Sequence, residues 1–422
     1  MPNPFAGFAP IEIPARAPKA VDSYDRSVPI SDTLERVPGL RSRYGITRVG
    51  DTTYLDRTLI PTFCAVVPQS PDLIGVYNGK GRSREVAMVS AVMEAVERQV
   101  AAACVLPEFP LAVSEVLQYV DVRAMGLLEN APEFVTCVPA TSLFDGRVVP
   151  MPLAAVRCPW FGERLFGSAN TNGLASGNNI VEALYHGLLE AVERHVWSMY
   201  FVRSQLLPHF YLGSNAADVA HGQEIQLPSG CERVDELVSA IRSAGFELRA
   251  LALAEGPLPI VVLASIVDAR SDPPMAHTGL GCSLSAAHAL ERALTECVQS
   301  RVTDIQGARE DLLRPWEESA TFGNYARRQT ALPVGRWHFD LPCEPVRLDE
   351  LPDTASDDVA RDLRSLLGAI RIYGVESVFA VDLAAPDVCV ARVVVPEFET
   401  TSINGRIGLL ARREFNPFHV QT

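Results

Sequence analysis

Between Asn178 and Arg194 the chain places Glu182, His186, Glu190 and Glu193 three or four residues apart. On a helix these side chains stand on successive turns of one face, while Leu184, Leu188, Val192 and Met199 form a separate apolar row. Carboxylates so spaced come within roughly 6 Å of one another and repel. An exposed row tolerates this, but a buried row needs protons or cations to offset it. A divalent metal is the simplest such cation. The register recurs: Ser90–Val100 aligns without a gap on His186–Val196, so that Glu94, Glu97 and Arg98 match Glu190, Glu193 and Arg194. A more divergent third copy runs through His288, Arg292, Glu296, Gln299 and Arg301. For any one helix, solvated intrahelical ion pairs are the simpler reading. Three such helices in one chain argue for a shared site.

Two glycine-rich stretches open two of these helices, Asn78-Gly79-Lys80-Gly81 and Thr171–Asn178. Read as turns, both could bring backbone N–H groups and a helix N-terminus close to an anion. Neither matches the phosphate-loop string, because Lys80 is not followed by Ser or Thr at the required spacing, and no dinucleotide fingerprint follows a strand. The resulting chemical hypothesis is that the carboxylates hold Mg2+, the ions bridge nucleotide phosphates, and Arg98, Arg194, Arg292 or Lys80 neutralise the remaining charge.

The elements that must position these residues alternate short β-like runs with long helices, which makes the chain α/β. Strands are expected at 59–67, 72–77, 147–155, 247–253, 260–268, 275–281, 375–382 and 388–395. Helices are expected at 83–104, 178–199, 285–303 and 359–367. Repeats of strand, glycine turn and helix suggest one catalytic domain over 51–422 with internal pseudo-symmetry. Pro2, Pro4, Pro10, Pro14 and Pro18 make residues 1–50 read as an extended arm on the surface or on a partner subunit.

A net charge of -14, with 21% charged and 48% hydrophobic residues over 422, describes an acidic globular chain rather than a nucleic-acid binder. The nine cysteines contain no CxxC pair, which favours reduced core thiols over a zinc cluster or a disulfide framework. No signal peptide and no membrane-spanning run is visible, so a cytoplasmic location is expected.

Taken together, Asn78–Gly81, Ser90-x-x-x-Glu94-x-x-Glu97-Arg98, Asn178-x-x-x-Glu182 with Glu190-x-x-Glu193-Arg194, and Arg292 with Glu296, Gln299 and Arg301 resemble the YcaO family. The resemblance covers roughly residues 55–400. It implies an ATP site unrelated to phosphate-loop kinases, and an enzyme that phosphorylates the oxygen of a peptide backbone amide. It also implies that Ser90, Glu97, Asn178, Arg194 and Arg292 contact nucleotide, and that Glu94, Glu182, Glu190, Glu193 and Glu296 supply Mg2+ ligands.

The family's azoline-forming members often end in a Pro-x-Pro-x-Pro tail, whereas this chain ends Asn416–Thr422. Its usual His-Pro before the third helix is Ser283-Leu284 here, and its Val-Pro-Gly is Val395-Pro396-Glu397. The segment Thr295–Leu313 resembles the subgroup that works beside TfuA-type partners or alone. Thioamidation of a precursor peptide is therefore placed ahead of macroamidine or azoline formation, in the biosynthesis of a ribosomally made, modified peptide. A non-catalytic ATP-binding scaffold subunit is the alternative of another class. A TfuA-type or leader-binding protein and a second copy of the chain are the partners to consider, and no fused leader-binding module is expected before the catalytic domain. Among candidate general bases, His419 in the C-terminal tail is named; His186 and His288, at matching places in their helices, could orient a carboxylate or take a proton but are read first as packed, hydrogen-bonded histidines.

Overall fold

The computed structural model describes all residues except 1–4, 6, 22, 168, 207–221, 271–274, 309–342 and 401–422. His419, the tail from Asn416 and the stretch Arg309–Leu313 lie outside the described residues.

Three sheets are present among the described residues. The first contains β1 (Arg48–Asp51), β2 (Thr62–Val66) and β3 (Val76–Lys80), paired antiparallel in that order. The second has the order β4 (Phe109–Ala112), β5 (Phe134–Ser142), β13 (Phe379–Asp382), β14 (Cys389–Val394) and β7 (Leu174–Gly177), with β6 (Val148–Pro152) paired to β5. The third runs β11 (Met275–Cys282), β10 (Val261–Asp268), β9 (Glu247–Leu253), β8 (Gln223–Ile225) and β12 (Glu344–Val346). The helices are α1 (Ile30–Arg43), α2 (Arg84–Ala103), the single turn α3 (Val113–Val116), α4 (Ile180–Phe201), α5 (Glu232–Ser243), α6 (Ala286–Gln306) and α7 (Val359–Ile372).

The three carboxylate helices each follow a strand: β3 leads into α2, β7 into α4 and β11 into α6. Glycines set how closely each pair can approach. A Cβ on Gly79 would lie 2.1 Å from the backbone nitrogen of Ala91 in α2, and one on Gly281 would lie 2.1 Å from the Ala289 carbonyl oxygen in α6. Asn78-Gly79-Lys80 is therefore strand rather than the expected turn, with Gly79 opposite Phe63 in β2. The alternation of turn-forming residues misleads here because the glycine serves close packing, not chain reversal. The second glycine stretch likewise contains strand β7.

Helix starts are fixed by side-chain caps. Ser83 Oγ accepts the Val86 amide at 3.2 Å, and Asn179 Oδ1 accepts the Glu182 amide at 3.1 Å. At its other end α6 stops at Gly307, whose φ of 57° is one that glycine tolerates best.

Helix α4 lies in the interior, between β7 and β14 on one side and β10 and β11 on the other. Its apolar row fills a core with Leu263, Leu280, Leu363 and Leu366. Its polar row is buried as well: Glu182 is 0%, Glu193 3% and His186 9% exposed. The helix is largely enclosed, with Glu190 and Arg194 partly exposed, so Glu182 and Glu193 meet the electrostatic problem posed by their spacing in a buried setting.

The N-terminal span expected to be an extended arm departs from that description in two ways. Residues 30–43 form α1, with Val37 and Leu40 buried. The stretch before it runs along its own chain: Phe5 is fully buried beside Phe109, and Lys19 pairs with Asp362 at 2.7 Å. The Ala17 amide donates to the Asp358 carboxylate at 3.0 Å. Proline prevents helix in the first twenty residues but does not prevent packing. Cys64, Cys104, Cys137, Cys158, Cys282 and Cys297 are buried, and none of the nine cysteines is in a disulfide.

Candidate nucleotide and metal site

Helices α2, α4 and α6 bring their polar faces together. Glu94 and Glu97 from α2, Glu190, Glu193 and Arg194 from α4, and Arg292 and Glu296 from α6 are linked by a chain of pairwise electrostatic interactions, with Arg194 acting on Glu94, Glu190, Glu193 and Glu296. Burial pushes the Glu97 carboxyl well above its ordinary value; Glu94 and Glu190 add to this, and a hydrogen bond from Ser176 opposes it. Burial lifts Glu190 to about 7, with Arg194 opposing and Glu193 and Glu94 reinforcing the shift. Glu193 is also raised by burial, although Arg194 Nη1 stands 3.4 Å from its Oε1.

Glu296 behaves differently. Burial disfavours its charge, but Lys80 and Arg194 outweigh that and hold it at about 2. Lys80 Nζ lies 2.5 Å from Glu296 Oε2, and the Leu280 amide donates to Oε1 at 3.3 Å. Gln299 Nε2 donates to the Asn78 carbonyl at 3.0 Å, which ties α6 to β3 a second time.

Several buried polar atoms in this region have no hydrogen-bond partner, among them Glu193 Oε2, Arg292 Nε and Asn178 Oδ1. Orphaned buried groups cost roughly 1–3 kcal/mol each and call for a partner. Among the described residues no group of three His, Cys, Asp or Glu side chains is arranged to hold a metal ion. That suits Mg2+ bound with a nucleotide, because this ion usually takes one or two protein carboxylates and completes its shell with phosphate oxygens and water. The residues present fit such a group.

Two of the expected site residues are occupied elsewhere. Arg98 turns to Asp72, with Nε 2.7 Å from Oδ2, so it neutralises a buried carboxylate instead of being free for a phosphate. Glu182, expected to ligate metal, accepts hydrogen bonds from the Ser27 amide and hydroxyl, both at 2.8 Å, and from the Val28 amide at 3.1 Å. Its other oxygen accepts from the Asn178 amide at 3.0 Å and from Arg26 at 3.4 Å. These donors stabilise the charge and lower the Glu182 pKa against the effect of burial. Ser90 is half-buried one turn before Glu94. Asn178 Nδ2 donates to Thr33 Oγ1 at 2.8 Å. Arg301, from the third copy, is held by Asp56 at 2.8 Å and Asp268 at 3.1 Å.

Sequence reasoning missed Arg392. It is buried in β14, where Nε donates to the Ala155 carbonyl at 3.1 Å and its charge faces Glu190 and Glu97. A single arginine inside the apolar run Val388–Val395 was the available signal. Asp25 and Arg26, beside α4 and α6, gave no such signal, because their partners lie more than 150 residues away.

Among the described residues, helix-borne carboxylates face arginines without a backbone-amide phosphate cradle, an arrangement that fits a magnesium–nucleotide site. The chain belongs to the YcaO cyclodehydratase family, described as ATP- and Mg2+-binding, whose match spans residues 78–399. ATP and Mg2+ are its cofactors. An uncharacterized protein of Methanothermobacter thermautotrophicus is 33% identical over 394 residues, covering 90% of this chain and 97% of that protein. An uncharacterized protein in the tfuA 3' region of Rhizobium leguminosarum bv. trifolii is 33% identical over 308 residues, covering 69% of this chain and 70% of that protein. YcaO from Methanopyrus kandleri, solved with AMPPCP and Mg2+, has the same fold, with a TM-score of 0.67 at 22% identity over 93% of this chain and 98% of that one.

Proposed function

We propose that this chain uses ATP to phosphorylate the oxygen of a backbone amide in a precursor peptide, and that the product is a thioamide. The observation that carries the reading is the set of unpartnered buried atoms, Glu193 Oε2 and Arg292 Nε on helices that concentrate carboxylates and arginines, and Asn178 Oδ1 just before α4. Glu94, Glu190, Glu193 and Glu296 are the residues that would hold magnesium, while Ser90, Glu97, Asn178, Arg194 and Arg292 would face nucleotide. Bound magnesium would neutralise charge on the phosphoryl group in transfer. Arg194 and Arg292 offset the repulsion among the carboxylates and would attract the phosphates of a bound nucleotide.

In the balanced reaction, the amide oxygen takes the γ-phosphoryl group and ADP leaves. Sulfide then adds to the carbonyl carbon, the oxygen departs as phosphate, and a proton is lost. Support for sulfide over an internal nucleophile comes from the likeness of Thr295–Leu313 to the subgroup that works beside TfuA-type partners or alone, and from the relative found in a tfuA region. A TfuA-type partner in the cytoplasm belongs to the same reading. Among the described residues no helix is long and apolar enough to cross a membrane.

The test is the intact mass of a candidate precursor peptide after incubation with the chain, Mg2+ and ATP, with and without sulfide. A gain of about 16 Da that needs sulfide supports thioamidation through amide activation. Loss of about one water without sulfide, after the same activation, supports azoline or macroamidine formation instead. ATP binding without peptide-dependent hydrolysis supports a scaffold subunit.

A further inference from the structure

The strap Tyr24–Val28 crosses from α6 to α4 before the chain enters α1. At one end the Tyr24 ring stacks on His288 of α6 with centroids 4.7 Å apart, and the Arg233 guanidinium lies 4.6 Å over the Tyr24 ring. Next to it, Asp25 is 8% exposed and reaches both helices: its Oδ2 is 2.9 Å from His288 Nε2 and 3.7 Å from His186 Nε2 of α4. At the other end the Ser27 and Val28 amides close on Glu182, while Asn179 Nδ2 donates to Ser27 Oγ at 2.8 Å.

We propose that this strap is a fixed wall of the site, that Glu182 is its anchor rather than a metal ligand, and that Asp25 is a positioning residue latching α4 to α6. The inference rests on the magnesium–ATP reading above and departs from it at Glu182. Two features favour a fixed wall over a lid. Glu182 is 0% exposed, and every donor that satisfies its charge comes from the strap or from Asn178, just before the α4 cap. Removing the strap would leave a fully buried carboxylate with Asn178 as its remaining donor, a costlier arrangement than the one observed. Releasing Asp25 would also strip His186 and His288 of their common partner. Magnesium ligation is thereby left to Glu94, Glu190, Glu193 and Glu296.

The test is hydrogen exchange at the Ser27 and Val28 amides of the full chain. Both amides should exchange slowly without ligand and no faster once Mg2+ and ATP are added. Asp25→Ala should speed their exchange about tenfold or more. Asp25→Asn keeps an acceptor for His288 and should restore most of the protection. Faster exchange on adding Mg2+ and ATP, or no change in Asp25→Ala, overturns the proposal. In a parallel titration with Mn2+ and ATP, Glu182→Gln should keep metal affinity within about threefold while Glu193→Gln loses about tenfold or more. An equal loss in both variants makes Glu182 a ligand and overturns the proposal. If neither variant changes Mn2+ affinity, the magnesium–ATP reading fails, and the exchange rates still decide the strap.

Discussion

Lys80 Nζ lies 2.5 Å from Glu296 Oε2, so the last residue of β3 in the first strand–helix repeat meets a carboxylate of α6 in the third. This pair keeps Glu296 ionised at about 2 beside Glu97, Glu190 and Glu193, whose carboxyls are driven upward. Each side chain is about a fifth exposed, so solvent screens the pair only in part. Lys80→Met should destabilise the chain by about 1–3 kcal/mol and raise the KM for ATP about tenfold. Urea denaturation and steady-state kinetics read the two effects separately.

Glu190 supplies a pH prediction. Its folded-state pKa, at about 7, lies above the unfolded value of about 4.3. The native state therefore binds more protons over that interval, and ligand-free stability should fall as pH rises from about 4.3 to about 7. Glu190→Gln removes the penalty, so ligand-free Tm at pH 8 should exceed that of wild type, with little difference near pH 4. The same variant should stop ATP hydrolysis. Binding of Mg2+ and ATP needs the ionised carboxylate, so the ligand-induced rise in Tm should grow from pH 6 to pH 8 in wild type.

Arg98 separates structural from nucleotide roles. Its partner Asp72 has only 1% of its side chain exposed, so Arg98→Ala strands a buried charge. A loss of about 2–4 kcal/mol is expected, with KM for ATP changed less than about twofold in protein that remains folded. A large rise in KM with unchanged stability would return Arg98 to the nucleotide site.

Gly79→Ala tests the close approach of β3 and α2. The added Cβ would sit 2.1 Å from the Ala91 nitrogen and 2.3 Å from the Ala87 carbonyl oxygen, both backbone atoms that cannot move aside cheaply. A destabilisation of about 3 kcal/mol or more is expected in denaturant melts. A neutral effect would mean that the strand and helix can part without cost.

Much of the site is legible before folding because helical spacing alone puts Glu94 with Glu97, and Glu190 with Glu193 and Arg194, on shared faces. The gapless match between two helices points to a shared site, and β9 falls at 247–253 as its alternation predicts. What stays hidden depends on partners distant in the chain. Nothing near Arg98 announces Asp72, 26 residues upstream, and nothing near Glu182 announces Ser27, 155 residues away. Asn78-Gly79 has the composition of a turn, and only the approach of α2 makes the glycine a strand residue. Helix α1 is missed because Pro38 lies inside it and its apolar stripe is thin, with Val37 and Leu40 as its buried aliphatic residues.

Carboxylates on three helices are proposed to bind nucleotide through magnesium. Calorimetric titration of ATP into the chain, with and without Mg2+, tests it most directly. Binding should require Mg2+ and should weaken about tenfold or more in Glu193→Gln, because an acidic site repels the free nucleotide. Equal binding of ATP with and without Mg2+, undisturbed by Glu193→Gln, would contradict the claim.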